Sequence, residues 1–230
     1  MKNVPDAPAR KVVSRSPVRT VRIINLPGLF NKPVECESSL ERDFVYRAAL
    51  CPGVVGIRHQ PFKLTLASGR RYTPDFLAYH ADGSHVVVEI KRAAKVSGYR
   101  ATFDEAARVF LARSMRFAVF DERAVRERKG HRRAALILRY RKWTAADESK
   151  ARILDVVADF PNGITLNSLC ARSDAAREDV FHLLATRALF CSRLLELSDG
   201  ALITSPVLKE TNHEHRIEGW FGSASWPANT

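Results

Sequence analysis

The four cysteines of this 230-residue chain, Cys36, Cys51, Cys170 and Cys191, never fall in a C-x-x-C pair. That spacing gives neither a zinc ribbon nor a disulfide framework, and it fits a reducing compartment. No apolar run is long enough to span a bilayer. The stretch from Met1 to Arg22 is basic but broken by Pro5, Pro8 and Pro17, without the apolar core of a secretory signal. It reads as a basic arm, either a solvated tail or an extra phosphate contact. Paired histidines are missing too: His59, His80, His85 and His131 show no ligand spacing, and His213 and His215 lie in a polar tail, so a histidine metal centre is not expected. Negative charge is the scarce sign, with 25 Asp and Glu against 37 Lys and Arg, a net of +12. Such an excess suits a polyanionic partner. It is also uneven: residues 1–144 carry +16 and residues 145–210 carry −3.

What is present is ordered like an α/β domain. Ser38 and Glu41 form an S-x-x-E capping box, and Leu40, Phe44 and Ala48 continue one apolar stripe, so a helix is predicted from Ser38 towards Pro52-Gly53. Short extended segments follow at Val54–Arg58 and Gln60–Leu66. A hairpin of Arg71–Tyr79 and His85–Lys91 comes next, then an amphipathic helix over Thr102–Ser114 and a strand at Arg116–Phe120. Helix, antiparallel strands, crossover helix and strand make a mixed sheet flanked by helices.

The hairpin holds the chemistry. In Val88-Glu89-Ile90-Lys91, side-chain alternation puts Glu89 and Lys91 on one face about 6.6 Å apart, with Ile90 turned into packing. If Asp75, from Thr73-Pro74-Asp75-Phe76, lies across from Glu89, two carboxylates can hold a hard divalent cation against a phosphate beside an ammonium. Loop parity decides this. A two-residue Asp82-Gly83 turn would pair Asp75 with Ile90 and place it on the wrong side of the sheet. An odd loop or a bulge makes paired numbers sum to 164 and sets Asp75 opposite Glu89, with β-carbons about 5 Å apart. The odd register is the expectation. An all-oxygen site suits Mg²⁺, with Mn²⁺ as substitute, and offers no soft donor for zinc.

Glu37-Ser38-Ser39-Leu40-Glu41-Arg42-Asp43-Phe44, Gln60-Pro61, Arg71-Tyr72-Thr73-Pro74-Asp75-Phe76 and Val88-Glu89-Ile90-Lys91 together resemble the TnsA family of transposon endonuclease subunits, within the PD-(D/E)XK superfamily. The resemblance implies a restriction-endonuclease-like fold and hydrolysis at the 5′ ends of a mobile element. It also implies double-stranded DNA at transposon ends as substrate, a DDE transposase and an AAA+ regulator as partners, and a cytoplasmic, nucleoid-associated setting in a prokaryote. Carried onto this chain, the catalytic set is Glu41, Asp75, Glu89 and Lys91, with Asp75, Glu89 and Glu41 as metal ligands. Some relatives have Gln where Glu89 stands here.

Alternatives stay open at several positions. Glu41 can be catalytic or can simply close the capping box. Gln60 can sit behind the site or be a satisfied polar group at a strand entrance. Arg70, Arg71, Arg92, Lys95, Arg126, Arg128, Lys129, Arg132 and Arg133 are the candidate DNA contacts, and the basic stretch Arg123–Lys142 can equally be a solvated linker helix. The second half predicts a small winged-helix-like domain. Its helices are expected over Lys150–Phe160, after a Thr165 cap and after a Ser173 cap, and its wing at Leu194–Leu197 and Ala201–Thr204. Its acidic balance favours protein docking over DNA reading. The expected division is a basic arm over 1–35, a nuclease domain over 36–143, the winged-helix-like domain over 144–210 and a tail over 211–230. A stand-alone restriction or repair nuclease, or a catalytically inactive assembly module, would share many of these features.

Overall fold

The computed structural model describes residues 21–205 and 216–227; the first 20 residues of the expected arm over 1–35 and the His213 and His215 pair lie outside the described residues. The rest of that expected arm is folded. Strands β1 (Arg22–Ile24) and β2 (Val34–Cys36) pair antiparallel, and Ile24, Leu26, Phe30 and Val34 are buried in the main core. Apolar side chains recurring through this stretch are removed from water, which binds it to the fold.

Helix α1 (Ser39–Ala48) starts at the predicted cap: Ser38 is extended, and its Oγ accepts the Glu41 N–H at 3.1 Å. Leu40, Phe44 and Ala48 are buried as the stripe requires. Then follow β3 (Val54–His59), β4 (Leu64–Thr65), β5 (Arg71–Tyr72), β6 (Phe76–His80), β7 (His85–Ile90), α2 (Ala93–Val96), α3 (Arg100–Leu111), β8 (Arg116–Phe120), α4 (Glu122–Val125) and α5 (Gly130–Arg139). The central sheet runs β3-β6-β7-β8, antiparallel except for the parallel pair β7 and β8. Phe76, Val86 and Val88 pack with Phe44 of α1 and Ile137 of α5, whereas Leu77 and Val87 pack with Phe103 and Phe110 of α3. The sheet is thus a mixed layer between helices.

The expected strand from Arg71 to Tyr79 is two strands. Pro74 has no N–H to give a ladder and restricts Thr73 before it. Arg71 and Tyr72 therefore pair with β4 in a separate ribbon, and β6 begins at Phe76. For the same reason the predicted extended run Gln60–Leu66 shortens to Leu64–Thr65.

A second unit contains α6 (Asp147–Ala158), β9 (Ile164–Thr165), α7 (Leu166–Ser173), α8 (Arg177–Ala185), β10 (Phe190–Cys191) and β11 (Leu202–Thr204), with sheet order β10-β11-β9. Thr165 caps α7 through the Ser168 N–H as expected. Ser173 does not cap the next helix. It is the last residue of α7, its hydroxyl donates back to the Leu169 carbonyl at 2.7 Å, and Asp174 at φ +48° ends the helix. Nor do Leu194–Leu197 form a strand: Leu195 lies at φ +53° in a turn closed on the Ser192 carbonyl, and the strand that pairs with β11 there is β10.

Within the expected tail over 211–230, residues 216–227 are folded onto the rest of the chain. Helix α9 (Ile217–Trp220) and Phe221 insert into the main core, where the Phe221 ring stacks on Phe44 at 5.1 Å and Phe120 at 4.9 Å. Trp226 then gives its backbone N–H to Phe117 and its indole N–H to Asp104, both at 2.7 Å. Trp220, Phe221 and Trp226 are large apolar groups whose burial outweighs the polarity of the surrounding segment. The 143/144 boundary does not divide the interior either, because Ile153, Leu166 and Val180 share one core with Phe44 and Ile137.

Candidate active site

Asp75 and Glu89 face each other across the hairpin. The pairs Phe76 with Val88, Leu77 with Val87, Ala78 with Val86 and Tyr79 with His85 all sum to 164, the odd register. A three-residue loop, residues 81–83, sets it: the His80 N–H meets the Ser84 carbonyl at 3.0 Å, Asp82 Oδ1 accepts the Ser84 N–H at 2.8 Å, and Gly83 takes φ +77°, where a side chain would be strained. One step beyond Phe76 and Val88, the same alternation aligns Asp75 with Glu89 on the Leu77 and Val87 face.

Each carboxylate is held. The Ile90 N–H donates to Asp75 Oδ2 at 2.8 Å, while Asp75 Oδ1 accepts no hydrogen bond from a described residue. Glu89, only 3 % exposed, receives the Tyr72 hydroxyl at 2.8 Å on Oε2 and the Lys91 ammonium at 2.7 Å on Oε1. Tyr99 lies under that ammonium, its ring centroid 4.7 Å from Nζ. Burial, then the Glu89 and Glu41 charges, push the Asp75 carboxyl well above its ordinary range. Burial also raises Glu89, against the pull of Lys91. Burial pulls the Lys91 ammonium down, but Glu89 and Asp75 outweigh it and the net shift is upward. The site is thus a negative cluster with too little positive charge.

Glu41 closes the capping box. Its Oε1 accepts the Ser38 hydroxyl at 2.8 Å and its Oε2 the Glu37 N–H at 2.7 Å. Its charge still reaches Asp75. Because both oxygens are occupied, the three-carboxylate cage expected from Glu41, Asp75 and Glu89 is not assembled, and among the described residues no three His, Cys, Asp or Glu side chains gather closely enough to hold a metal. Two carboxylates, substrate phosphate and water still suit magnesium, and the surplus negative charge around Asp75 suits a divalent cation. Replacing Ser38 by Ala should cost about 1 kcal/mol in urea unfolding.

Gln60 sits behind this network. It is buried at φ +41°, gives its N–H to the Asp75 carbonyl at 2.7 Å and its side-chain amide to Glu37 Oε1 at 3.0 Å. Tyr72 was missed by sequence reasoning. In one continuous strand it would point away from Asp75; the break at Pro74 lets it reach Glu89. Tyr72→Phe should lower stability by about 1.5–3 kcal/mol, since a buried charged acceptor loses its donor, read as a lower urea midpoint.

The candidate DNA contacts divide. Arg70, Arg71, Arg92, Lys95, Arg128, Lys129 and Arg132 are exposed. Arg126 is tied to Asp43 at 2.8 Å, and Arg133 gives two bonds to the Leu194 carbonyl, bracing α5 against the second unit rather than facing solvent. No helix among the described residues is long and apolar enough to cross a membrane.

Residues 51–122 match a family model described as TnsA-like endonuclease N terminal, a span that includes Asp75, Glu89 and Lys91 and leaves out Glu41. No curated protein matches the chain.

Proposed function

With residues 51–122 a TnsA-like endonuclease domain, we propose that the protein is the metal-dependent nuclease subunit of a heteromeric transposase, hydrolysing phosphodiester bonds at the 5′ ends of a mobile element. The observation that carries this reading is Asp75 set opposite Glu89 with Lys91 on the same face. Held by Asp75 and Glu89, Mg²⁺ would polarise the phosphoryl oxygen and acidify a bound water. The rest falls to the chain. Lys91, with its raised pKa, stays an ammonium at neutral pH and is therefore a hydrogen-bond donor to water or phosphate, not a base. Tyr72 and the Ile90 N–H orient the two carboxylates, and Tyr99 keeps Lys91 over the cluster.

The helix, strand, helix, helix, strand, strand order of residues 147–204 supports a winged-helix-like unit. We assign it to contact with a DDE transposase or AAA+ regulator, because its charge is net negative and Asp179 is committed to Trp143 and Ser149 at 2.8 and 2.6 Å.

The test is Mg²⁺-dependent nicking of end-containing DNA, with and without the partner transposase, for wild type, Asp75→Ala and Lys91→Ala. Nicking by wild type with the partner, lost in both variants, is the expected result. Efficient cutting by the chain alone would favour a stand-alone nuclease, and equal cutting by all three proteins would end the catalytic reading.

A further inference from the structure

A groove of about 680 Å³ opens between α1 and α5, on the far side of α1 from the acidic cluster. Its charged walls are Arg42, Asp43, Arg126, Arg132 and Arg139, with the His131 imidazole among them. Asp43 is 2 % exposed and works as a bracket: its Oδ1 accepts Arg42 Nε and Nη2 at 2.9 and 2.5 Å, and its Oδ2 accepts Arg126 Nε at 2.8 Å. Arg126 spends one further donor on Ser39 at 3.2 Å. A guanidinium has five N–H donors, so both arginines are held in place with donors to spare. Arg132 and Arg139 are exposed and make no side-chain hydrogen bond or ion pair with any described residue. His131 Nδ1 is buried in the wall without a hydrogen-bond partner. Four guanidinium groups thus face one carboxylate in a cleft built to hold anions.

The position of the groove names the anion. Helix side chains advance about 100° per residue, and a helix is about 10 Å across. Glu41 therefore points to the acidic cluster while Arg42 and Asp43, the next residues, line the groove. The groove therefore shares α1 with the acidic cluster, and a long polyanion held at one can be contacted by the other.

We propose that this groove binds the sugar–phosphate backbone of the DNA. The assignment rests on the nuclease reading for the identity of the polyanion, but not for its binding. The experiment is fluorescence anisotropy of labelled duplex DNA without divalent metal, across a salt series, comparing wild type with Arg132→Gln, Arg139→Gln and the double variant. Each lost phosphate contact should flatten the slope of log K against log salt by about 0.9, so the double variant should lose nearly two. Single methylphosphonate substitutions should then find a phosphate whose neutralisation weakens wild type and leaves the double variant unchanged. If the slope drops but no protein nicks DNA, the groove stands and the nuclease reading falls. If wild type nicks DNA while the double variant keeps the wild-type affinity and slope, the groove assignment is overturned; an acidic protein segment as the true occupant would give that same outcome.

Discussion

Asp75→Asn should abolish nicking and, at neutral pH, leave a protein at least as stable as wild type. The first half follows from position: Asp75 is the carboxylate with an oxygen not engaged by the chain, opposite Glu89 in register. Loss of a metal's charge stabilisation, worth several kcal/mol, corresponds to roughly a thousandfold or more in rate. The second half follows from charge. Asn keeps an oxygen for the Ile90 N–H while removing one negative charge from the cluster with Glu89 and Glu41. Since the folded protein holds the Asp75 carboxyl well above the usual 3.8, the folded state binds protons more tightly than the unfolded chain in that interval. Stability at this site therefore falls as pH rises through the interval, and the penalty is complete above the folded value. Mg²⁺ replaces the proton, so its stabilisation should grow from pH 5 to pH 8 in wild type and vanish in Asp75→Asn. Thermal melts with and without Mg²⁺ at the two pH values measure this. A variant that melts well below wild type at neutral pH, or nicks at an undiminished rate, would contradict it.

The site was legible because it is local and obeys period two. A capping box and an apolar run feeding Glu89 are patterns a chain states outright, whereas the hairpin admitted two registers, and the odd one, in which the strands pair, brings Asp75 to Glu89. Tyr72 was hidden by a single backbone break at Pro74, whose effect on strand pairing depends on β4, a partner that sequence does not supply. The C-terminal segment was hidden for a different reason. Its apolar residues Ile217, Trp220, Phe221 and Trp226 are separated by Glu218, Gly219 and Ser225, and their acceptors, Phe44, Phe120 and Phe117, lie about a hundred positions or more upstream. Charge misled in a similar way. Arg47, Arg133 and Arg187 count towards the basic first half or its neighbour, yet each spends its guanidinium on internal carbonyls. Net charge locates a polyanion partner; it does not say which arginines are left to meet it.

Arg47 carries the largest stability effect expected of a single side chain here. It is fully buried, an unusual place for a guanidinium. Its Nη1 donates to the carbonyls of Ala124 and Val125 at 2.6 and 3.3 Å, and its Nη2 to those of Arg193 and Trp220 at 3.1 and 3.2 Å. The Trp220 indole N–H returns a bond to the Arg47 carbonyl at 3.0 Å, and the guanidinium lies 4.6 Å from the centroid of the Phe221 ring. Gly130 makes room, since a β-carbon there would come within 3.2 Å of Arg47 Nε. One side chain thus joins α1, α4, the second unit and the returning C-terminus. Burial lowers its pKa to about 10, with Glu127 pulling the other way, so it remains charged at pH 7. Glu127 itself is bonded to Arg193, 2.5 Å away. Arg47→Met keeps most of the volume but takes the guanidinium donors from four carbonyls in the interior and at its margin, which should cost about 3–5 kcal/mol. Arg47→Lys should recover less than half of that, because a compact ammonium has three donors and cannot span carbonyls from three segments at once. Urea midpoints of the two variants measure the loss, and faster hydrogen exchange at the Trp220 indole N–H would show that the C-terminus is released first. A methionine variant with the wild-type midpoint would mean that the arginine is tolerated in the core rather than required there.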